Sequence, residues 1–190
     1  MKIILATKNQ GKLKEFEVLA RNTDLEFETL PDHITELPEE TGSTFKENAL
    51  IKAEYAFKNC GGVACLADDS GLEVDFLNGE PGIFSSRYSE EGTDESNMEK
   101  LLHELKEAED SQRSARFKCS LMLLTNDNDY FAEGSFEGLI AKEKKGSMGF
   151  GYDPIFIVPK KGKHLAELNE KDKNAISHRA LAFNKLLGLL

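Results

Sequence analysis

A short apolar run that ends in two adjacent carboxylates constrains this chain more than any other stretch. Residues 63–67 are small and apolar and follow Gly61-Gly62, a pattern typical of a strand buried on both faces. Asp68 and Asp69 come directly after this run and precede Ser70-Gly71, which are common turn residues. We therefore expect the strand to end at the two aspartates and the turn to bring both side chains toward one opening.

The two neighbouring acids, Asp68 and Asp69, repel each other unless a cation lies beside them. A divalent metal is the simplest such cation, and Mg²⁺ prefers oxygen ligands of this type. The alternative is an Asp-Ser-Gly turn whose acids are solvated. Taken alone, the pair favours the turn, because all three residue types are ordinary in turns.

The composition is that of a soluble globular protein with room for one buried core. Of its 190 residues, 39% are hydrophobic and 31% are charged. The sequence shows no apolar stretch near the roughly 20 residues that a membrane helix needs, and no signal-peptide pattern. We therefore expect a cytoplasmic protein with no membrane partner. A formal net charge of −10 argues against binding to nucleic acid, although a local basic cluster could still bind a small anion.

A polar segment joins the first predicted strand to the first predicted helix. Residues 2–6 predict the strand, and apolar residues then recur at helical spacing. Between them, Thr7, Lys8, Asn9 and Lys12 supply donors at a helix N-terminus, where free backbone N–H groups favour phosphate. A capped helix with solvated lysines explains the same segment equally well.

A second helix is predicted from a capping-box pattern that starts at Thr44 and contains Glu47, and it runs to about Asn59. Asn48 and Lys52 lie four residues apart, so both project from one flank of this helix. From that flank Lys52 could reach a phosphate, or it could lie along the surface as lysines usually do.

Two later segments carry aromatic and basic residues that suit a nucleobase. Residues 146–154 place three glycines around Phe150 and Tyr152, so that backbone and a flat ring could both approach a ligand. The same loop could instead be a tight turn whose aromatics fill the core. A C-terminal helix is predicted to carry His178 and Arg179 in its early turns, next to Lys173. Basic residues at that end of a helix suggest an anionic or electron-rich partner.

Together and in this order, the motifs resemble the inosine/xanthosine triphosphate pyrophosphatase family over essentially the whole chain. One departure is Lys8, where that family often has glycine, and it leaves the other polar residues of the first turn in place. The motifs that carry the resemblance are Ala6-Thr7-Lys8-Asn9-x-x-Lys12, Thr44-Phe45-x-Glu47-Asn48-Ala49, Ala67-Asp68-Asp69-Ser70-Gly71-Leu72, Pro81-Gly82, Gly149-Phe150-Gly151-Tyr152-Asp153-Pro154 and Ser177-His178-Arg179.

The resemblance implies an α/β fold in which a mixed, twisted central sheet is flanked by helices and two lobes surround one active-site cleft. We expect residues 1–190 to form a single non-canonical purine nucleoside triphosphate pyrophosphatase domain that assembles as a homodimer. The family requires Mg²⁺ and hydrolyses inosine, deoxyinosine and xanthosine triphosphates to the nucleoside monophosphate and pyrophosphate. This reaction removes non-canonical nucleotides from the cell's pools.

The resemblance also implies roles for individual residues. Asp69 would act as general base with support from Asp68, and Glu40 and Asp69 would bind the metal. The triphosphate would be bound by Thr7, Asn9, Lys12 and Lys52, with Ser70 nearby, and Lys8 joins them as a further donor of the same turn. The base would stack on Phe150, its pocket would be lined by Tyr152, Asp153, Lys173, His178 and Arg179, and Gly151 would bring backbone close to it.

Two other classes of protein fit part of this pattern. A nucleotide sensor without turnover needs the binding pockets but has no need of both Asp68 and Asp69. A phosphohydrolase that forms an aspartyl-phosphate commonly has one residue between its two aspartates, and the adjacent pair here does not fit that spacing. The sequence therefore favours the pyrophosphatase.

Overall fold

The computed structural model describes residues 1–174 and 176–190 and contains a seven-stranded sheet with helices. The strands are β1 (Lys2–Leu5), β2 (Glu26–Glu28), β3 (Cys65–Val74), β4 (Ser114–Leu124), β5 (Asp129–Ile140), β6 (Phe156–Val158) and β7 (Lys163–His164). The helices are α1 (Gln10–Ala20), α2 (Phe45–Asn59), α3 (Asp94–Glu104), α4 (Glu170–Asn174) and α5 (His178–Leu187).

The sheet is mixed, with strand order β2-β1-β3-β4-β5-β6-β7. β1 pairs in parallel with β2 and β3, whereas β6 pairs antiparallel with β5 and β7. The connections between the parallel strands contain α1 and α2, because parallel neighbours need a long crossover. The predicted α/β fold with a mixed sheet is confirmed.

β3 differs from its prediction because it does not end at the two aspartates. It runs without interruption through Ser70 and Gly71 to Val74. Pairing inside the sheet, where β3 lies between β1 and β4, overrides the local turn preference of Ser-Gly. Since successive side chains of a strand point to opposite faces, Asp68 and Asp69 lie on opposite faces of the sheet. The prediction that a turn brings them to one opening is wrong.

The chain divides into two compact units, each assembled from separate stretches of sequence. Unit 1 contains Met1–Asp69, Cys119–Gly134 and Arg179–Leu190, and unit 2 contains Ser70–Lys118 and Ser135–His178. The strands β3, β4 and β5 each contribute residues to both units. The single domain and the cleft between two lobes stay predictions.

Unit 1 has a hydrophobic core on each face of its part of the sheet. One core includes Phe16 of α1, Leu66 of β3 and Phe183 of α5. The other includes Ala53 of α2 and Ala67 of β3. Leu66 and Ala67 are consecutive, so the alternation of β3 assigns α1 and α5 to one face and α2 to the other.

Unit 2 has its own core, formed by apolar residues of β3, β4, β6 and α3. Within this unit Arg113 is buried, and its guanidinium donates to the carbonyls of Leu105 and Ile140 at 2.7 Å and of Ala141 at 2.9 Å.

Across residues 1–174 and 176–190, no helix is both long enough and apolar enough to cross a membrane.

Candidate active site

Asp68 lies on the face of the sheet covered by α1 and α5, and a cation from each helix approaches it. Lys12 Nζ is 2.9 Å from Asp68 Oδ2, and Arg179 Nε is 3.6 Å from the same oxygen. Burial opposes ionisation of Asp68, which is 1% exposed, but the neighbouring cations outweigh it, so the pKa of Asp68 lies below its usual range. Asp68 is therefore ionised at neutral pH and already paired.

Asp69 faces α2 instead, where Lys52 lies between two carboxylates. Lys52 Nζ is 3.1 Å from Asp69 Oδ1 and 2.5 Å from Glu40 Oε1. Burial raises the pKa of Asp69; Lys52 opposes that shift, and the charge of Glu40 adds to it. A carboxylate whose pKa is raised accepts a proton more readily than one whose pKa is lowered. The two adjacent acids are thus suited to different tasks.

Glu40 and Asp69 supply oxygen ligands of the kind that Mg²⁺ prefers. Asp69 Oδ2 is buried and has no hydrogen-bond partner among the described residues, so a cation could satisfy it. Mg²⁺ is usually held by one or two carboxylates, with water and substrate phosphates completing its shell. The described part of the chain contains no cluster of three or more His, Cys, Asp or Glu side chains that could hold a metal ion.

Arg179 also belongs to unit 1, where it lies between two acids. Its guanidinium is ion-paired with Glu15 of α1 as well as approaching Asp68. Glu15 is absent from the predicted site, although its position three residues after Lys12 places it on the same flank of α1. The preceding residue, His178, belongs to unit 2, where its ring stacks on Phe117 with 5.1 Å between the centroids.

The segment between β1 and α1 agrees in part with each of its two interpretations, a phosphate-binding segment and a capped helix with solvated lysines. Asn9 caps α1, since its Oδ1 accepts the backbone N–H groups of Gly11 at 2.9 Å and Lys12 at 3.2 Å. The Asn9 N–H in turn donates to Thr7 Oγ1 at 3.2 Å. These N–H groups are therefore paired within the turn. Lys12 is not a solvated lysine, because it pairs with Asp68, whereas Lys8 is exposed.

The loop of residues 149–153 in unit 2 exposes one aromatic ring and buries the other. Phe150 is 43% exposed, and Lys173 Nζ lies 4.8 Å from its ring centroid. Tyr152 is buried in the core, and its hydroxyl donates to the carbonyl of Ser85 at 2.8 Å. An exposed flat ring beside a cation suits a stacked base with an electron-rich edge.

Two carboxylates hold this loop in place. Asp153 Oδ2 accepts from the Phe150 N–H at 3.0 Å and from Lys173 Nζ at 2.6 Å. Asp94 Oδ2 accepts from the Gly151 N–H at 2.7 Å, a contact that the sequence does not indicate. Gly149 has a φ of +84°, and a Cβ there would lie 2.0 Å from Asp153 Oδ2, so this position requires glycine.

The predicted site residues thus fall into two groups, one in each unit, and their individual roles stay predictions. Arg179, predicted to line the base pocket, lies with the acids of unit 1. The unit 1 group contains Thr7, Lys8, Asn9, Lys12, Glu40, Lys52, Asp68, Asp69 and Arg179, and the unit 2 group contains Ser70, Phe150, Gly151, Tyr152, Asp153, Lys173 and His178.

The sequence and the fold match known proteins over their full length. A family model described as the Ham1 family matches residues 3–189. The chain is 48% identical over 191 residues to the dITP/XTP pyrophosphatase of Bacillus licheniformis, covering 99% of this chain and 97% of that relative. It is 48% identical over 193 residues to the protein of the same name from Shigella flexneri, covering 100% of this chain and 98% of the relative. The solved structure of a HAM1 protein from Coxiella burnetii matches with a TM-score of 0.91 at 44% identity, covering 100% of this chain and 98% of that one.

Proposed function

Since this chain belongs to the Ham1 family, we propose that it is a dITP/XTP pyrophosphatase. It hydrolyses non-canonical purine nucleoside triphosphates, inosine triphosphate among them, to the nucleoside monophosphate and pyrophosphate. The structural observation that carries the proposal is the contrast between two adjacent carboxylates, one with a lowered and one with a raised pKa. Groups whose environments move their pKa values apart are typical of acid–base sites.

Asp69 is the general base in this proposal. It accepts a proton from water as the water oxygen forms a bond to the α-phosphorus. The bond from that phosphorus to the α–β bridging oxygen breaks, and pyrophosphate leaves intact. The raised pKa of Asp69 supports this role, because a base works best when its pKa approaches the working pH. Asp68, already ionised, orients Lys12.

Mg²⁺ is the proposed cofactor, and Glu40 and Asp69 are the residues that would hold it. When bound, the ion neutralises phosphate charge and polarises the phosphate. The charge balance of unit 1 supports a divalent cation, because three cations and four carboxylates give the group a formal charge of −1, which cannot neutralise a polyphosphate. The group consists of Lys12, Lys52 and Arg179 with Glu15, Glu40, Asp68 and Asp69.

The remaining residues bind the two ends of the substrate. Lys12 and Lys52 bind phosphates by sharing their ammonium groups between carboxylate and substrate, and Thr7, Lys8, Asn9 and Ser70 add donors. The base stacks on Phe150, and Lys173 donates to its 6-oxygen. The exposure of Phe150 and the position of Lys173 beside its ring support this assignment. The pocket is completed by Gly151, Tyr152, Asp153 and His178, whereas Arg179 pairs with the acids of unit 1.

Incubation with Mg²⁺ and a panel of nucleoside triphosphates, followed by resolution of the products, tests the function. We expect the monophosphate and pyrophosphate as the first products from inosine, deoxyinosine and xanthosine triphosphates. Orthophosphate and a diphosphate appearing first, in a preparation free of inorganic pyrophosphatase, would contradict it. Nucleotide binding without any product would favour a sensor.

Assembly and location are part of the same proposal. A homodimer and a cytoplasmic location follow from the family resemblance, and the formal charge of −10 supports the absence of a nucleic-acid partner. Light scattering from the purified protein measures its mass in solution, and a monomer would contradict the dimer. Cell fractionation tests the location, and recovery with the membrane pellet would contradict it.

A further inference from the structure

Asn48 is an unusual residue for its position in α2. Its side chain is 0% exposed, and the next residue, Ala49, packs in the hydrophobic core on this face of the sheet. Asn48 Nδ2 is buried and has no hydrogen-bond partner among the described residues. A buried amide with an unpaired donor costs about 1–3 kcal/mol, so stability alone does not account for an asparagine here.

A hydrogen bond to Asn48 Oδ1 fixes the segment that carries Glu40. Asn48 Oδ1 accepts the backbone N–H of Gly42 at 2.8 Å. One helical turn further along α2, Lys52 holds the carboxylate of Glu40. Residues 40–42 are thus attached to α2 at both ends, once through backbone and once through a charged side chain.

The segment approaches α2 so closely that Gly42 has no space for a side chain. A Cβ on Gly42 would lie 2.6 Å from Glu47 Cβ and 2.7 Å from Asn48 Oδ1. Beyond Gly42, the N–H and hydroxyl of Ser43 both donate to the Glu47 carboxylate. The path of the chain from Glu40 to the start of α2 is therefore fixed by contacts of Glu40, Gly42 and Ser43.

The attachment through Asn48 differs from that through Lys52 because it uses no group that the substrate or the metal would bind. In the proposed function Lys52 binds phosphate and Glu40 binds Mg²⁺, so the ion pair between Lys52 and Glu40 is weakened or lost. The bond from the Gly42 N–H to Asn48 involves neither group. Ligands that are held in place before binding lose less entropy when the metal binds.

We propose that Asn48 is a positioning residue for Glu40, holding residues 40–42 against α2 so that the Glu40 carboxylate is presented to Mg²⁺. This inference rests on the proposed function, in which Glu40 binds the metal. Residues that orient metal ligands typically change metal affinity by about 10–100-fold when they are replaced.

The test measures the midpoint of thermal unfolding of the full chain against Mg²⁺ concentration, at a fixed concentration of inorganic pyrophosphate. For Asn48→Ala we expect the Mg²⁺ response to move to about tenfold higher concentration. The kcat at saturating Mg²⁺ should stay within about threefold of the wild type, because the variant weakens metal binding and leaves the general base in place.

Asn97→Ala is the matched control, since Asn97 is also buried and its Oδ1 accepts the Ser89 N–H at 2.7 Å. It should lower the unfolding midpoint without moving the Mg²⁺ response. Gly42→Ala disrupts the same contact from the other side and should act like Asn48→Ala, so it replaces that variant if the latter fails to fold. In a Glu40→Gln background, Asn48→Ala should move the response by less than about twofold.

An unchanged Mg²⁺ response in both Asn48→Ala and Gly42→Ala, with a normal response in the wild type, would overturn the inference and leave the proposed function intact. An equal shift with and without the Glu40 carboxylate would also overturn it, because Asn48 would then act independently of Glu40. A wild-type midpoint that does not respond to Mg²⁺ would instead overturn the proposed metal site, and this inference with it.

Discussion

Lys12 Nζ lies 2.9 Å from Asp68 Oδ2, joining the first turn of α1 to the middle of β3. Asp68 is almost completely buried, and its cationic neighbours hold its pKa below the usual range against the effect of burial. An ion pair of this kind stabilises the fold only where the carboxylate is ionised, so its contribution depends on pH.

Replacing Lys12 by Met is expected to lower the free energy of unfolding by about 1–3 kcal/mol at pH 7. Because the folded pKa of Asp68 lies below the unfolded value of about 3.9, the stabilisation is present above about pH 4 and is lost as the pH falls through the folded pKa. Urea unfolding at pH 7 and pH 3 should therefore show a smaller difference between variant and wild type at pH 3. Lys8→Met, in the same turn and exposed, is the control. An equal loss at both pH values would contradict the pairing.

Asp69→Asn is expected to keep the fold and to lower kcat by about 10²-fold or more, because an amide cannot accept the proton. Because burial raises the pKa of Asp69, the acidic limb of the wild-type profile of kcat/KM should lie at higher pH than for an ordinary aspartate, with activity falling as the pH drops through that pKa. The residual activity of the variant should lack this limb. Turnover close to wild type in a folded Asp69→Asn protein would remove Asp69 as the base.

Gly149→Ala is expected to raise the KM for deoxyinosine triphosphate by about tenfold, which corresponds to about 1.4 kcal/mol of lost binding. Its Cβ would displace the Asp153 carboxylate, which holds both the Phe150 N–H and Lys173. Gly162→Ala is the control, since its φ is also positive, at +61°, no atom lies within 4 Å of its added Cβ, and Gly162 is not among the proposed site residues. Equal effects of the two variants on KM would show that backbone strain, and not the Asp153 contact, is responsible.

Lys173→Met is expected to narrow the preference for inosine triphosphate over ATP by about 10–100-fold, the effect of losing a charged hydrogen bond. The 6-oxygen of hypoxanthine accepts hydrogen bonds, whereas the 6-amino group of adenine donates them and so opposes a cationic donor. The kcat/KM values for both nucleotides measure the ratio. Lys171→Met, an exposed lysine of the same short helix, should leave it unchanged. Comparable kcat/KM values for the two nucleotides in the wild type would refute the proposal that Lys173 recognises the 6-oxygen of the base.

Arg113→Met is expected to lower the free energy of unfolding by at least about 3 kcal/mol, because a buried charged donor that bonds the carbonyls of Leu105, Ala108, Ile140 and Ala141 is lost. Arg116→Met is the comparison, since Arg116 is 26% exposed and its ion pairs with Asp75 and Glu137 lie at the surface, where solvent reduces their contribution to stability. Urea unfolding of the two variants compares them directly. A smaller loss for Arg113 than for Arg116 would contradict the structural role of the buried guanidinium.

The sequence predicted best those elements whose local signals agree with their tertiary contacts. The cap at Thr44 and the small apolar stripe of α2 indicate a helix ending near Asn59, and α2 ends at Asn59. The predicted end of β3 was wrong because Ser70 and Gly71 favour a turn locally, whereas pairing within the sheet keeps them extended. The residue pattern of one segment does not show which segments from elsewhere in the chain will pair with it or pack against it.

The same limit applies to the two basic residues at the start of α5. His178 and Arg179 are adjacent in the sequence and were both assigned to the base pocket. Consecutive helical residues point in directions about 100° apart, so neighbours in sequence need not share surroundings. His178 stacks on Phe117, whereas Arg179 pairs with Glu15. The acid that pairs with Arg179 is determined by the packing of α5 against α1. The residues of α5 alone do not show this packing.

The division of the chain into interleaved stretches has a consequence for its synthesis. Unit 1 is completed by Arg179–Leu190, which the ribosome translates after every residue of unit 2. Until then the nascent chain lacks Phe183, which packs beside Phe16, and Asp68 lacks one of its cations. A nascent chain stopped before α5 should therefore expose an apolar surface that chaperones recognise, and its acids should not yet have their final pKa values. Nucleotide hydrolysis should accordingly begin only after translation has passed this helix.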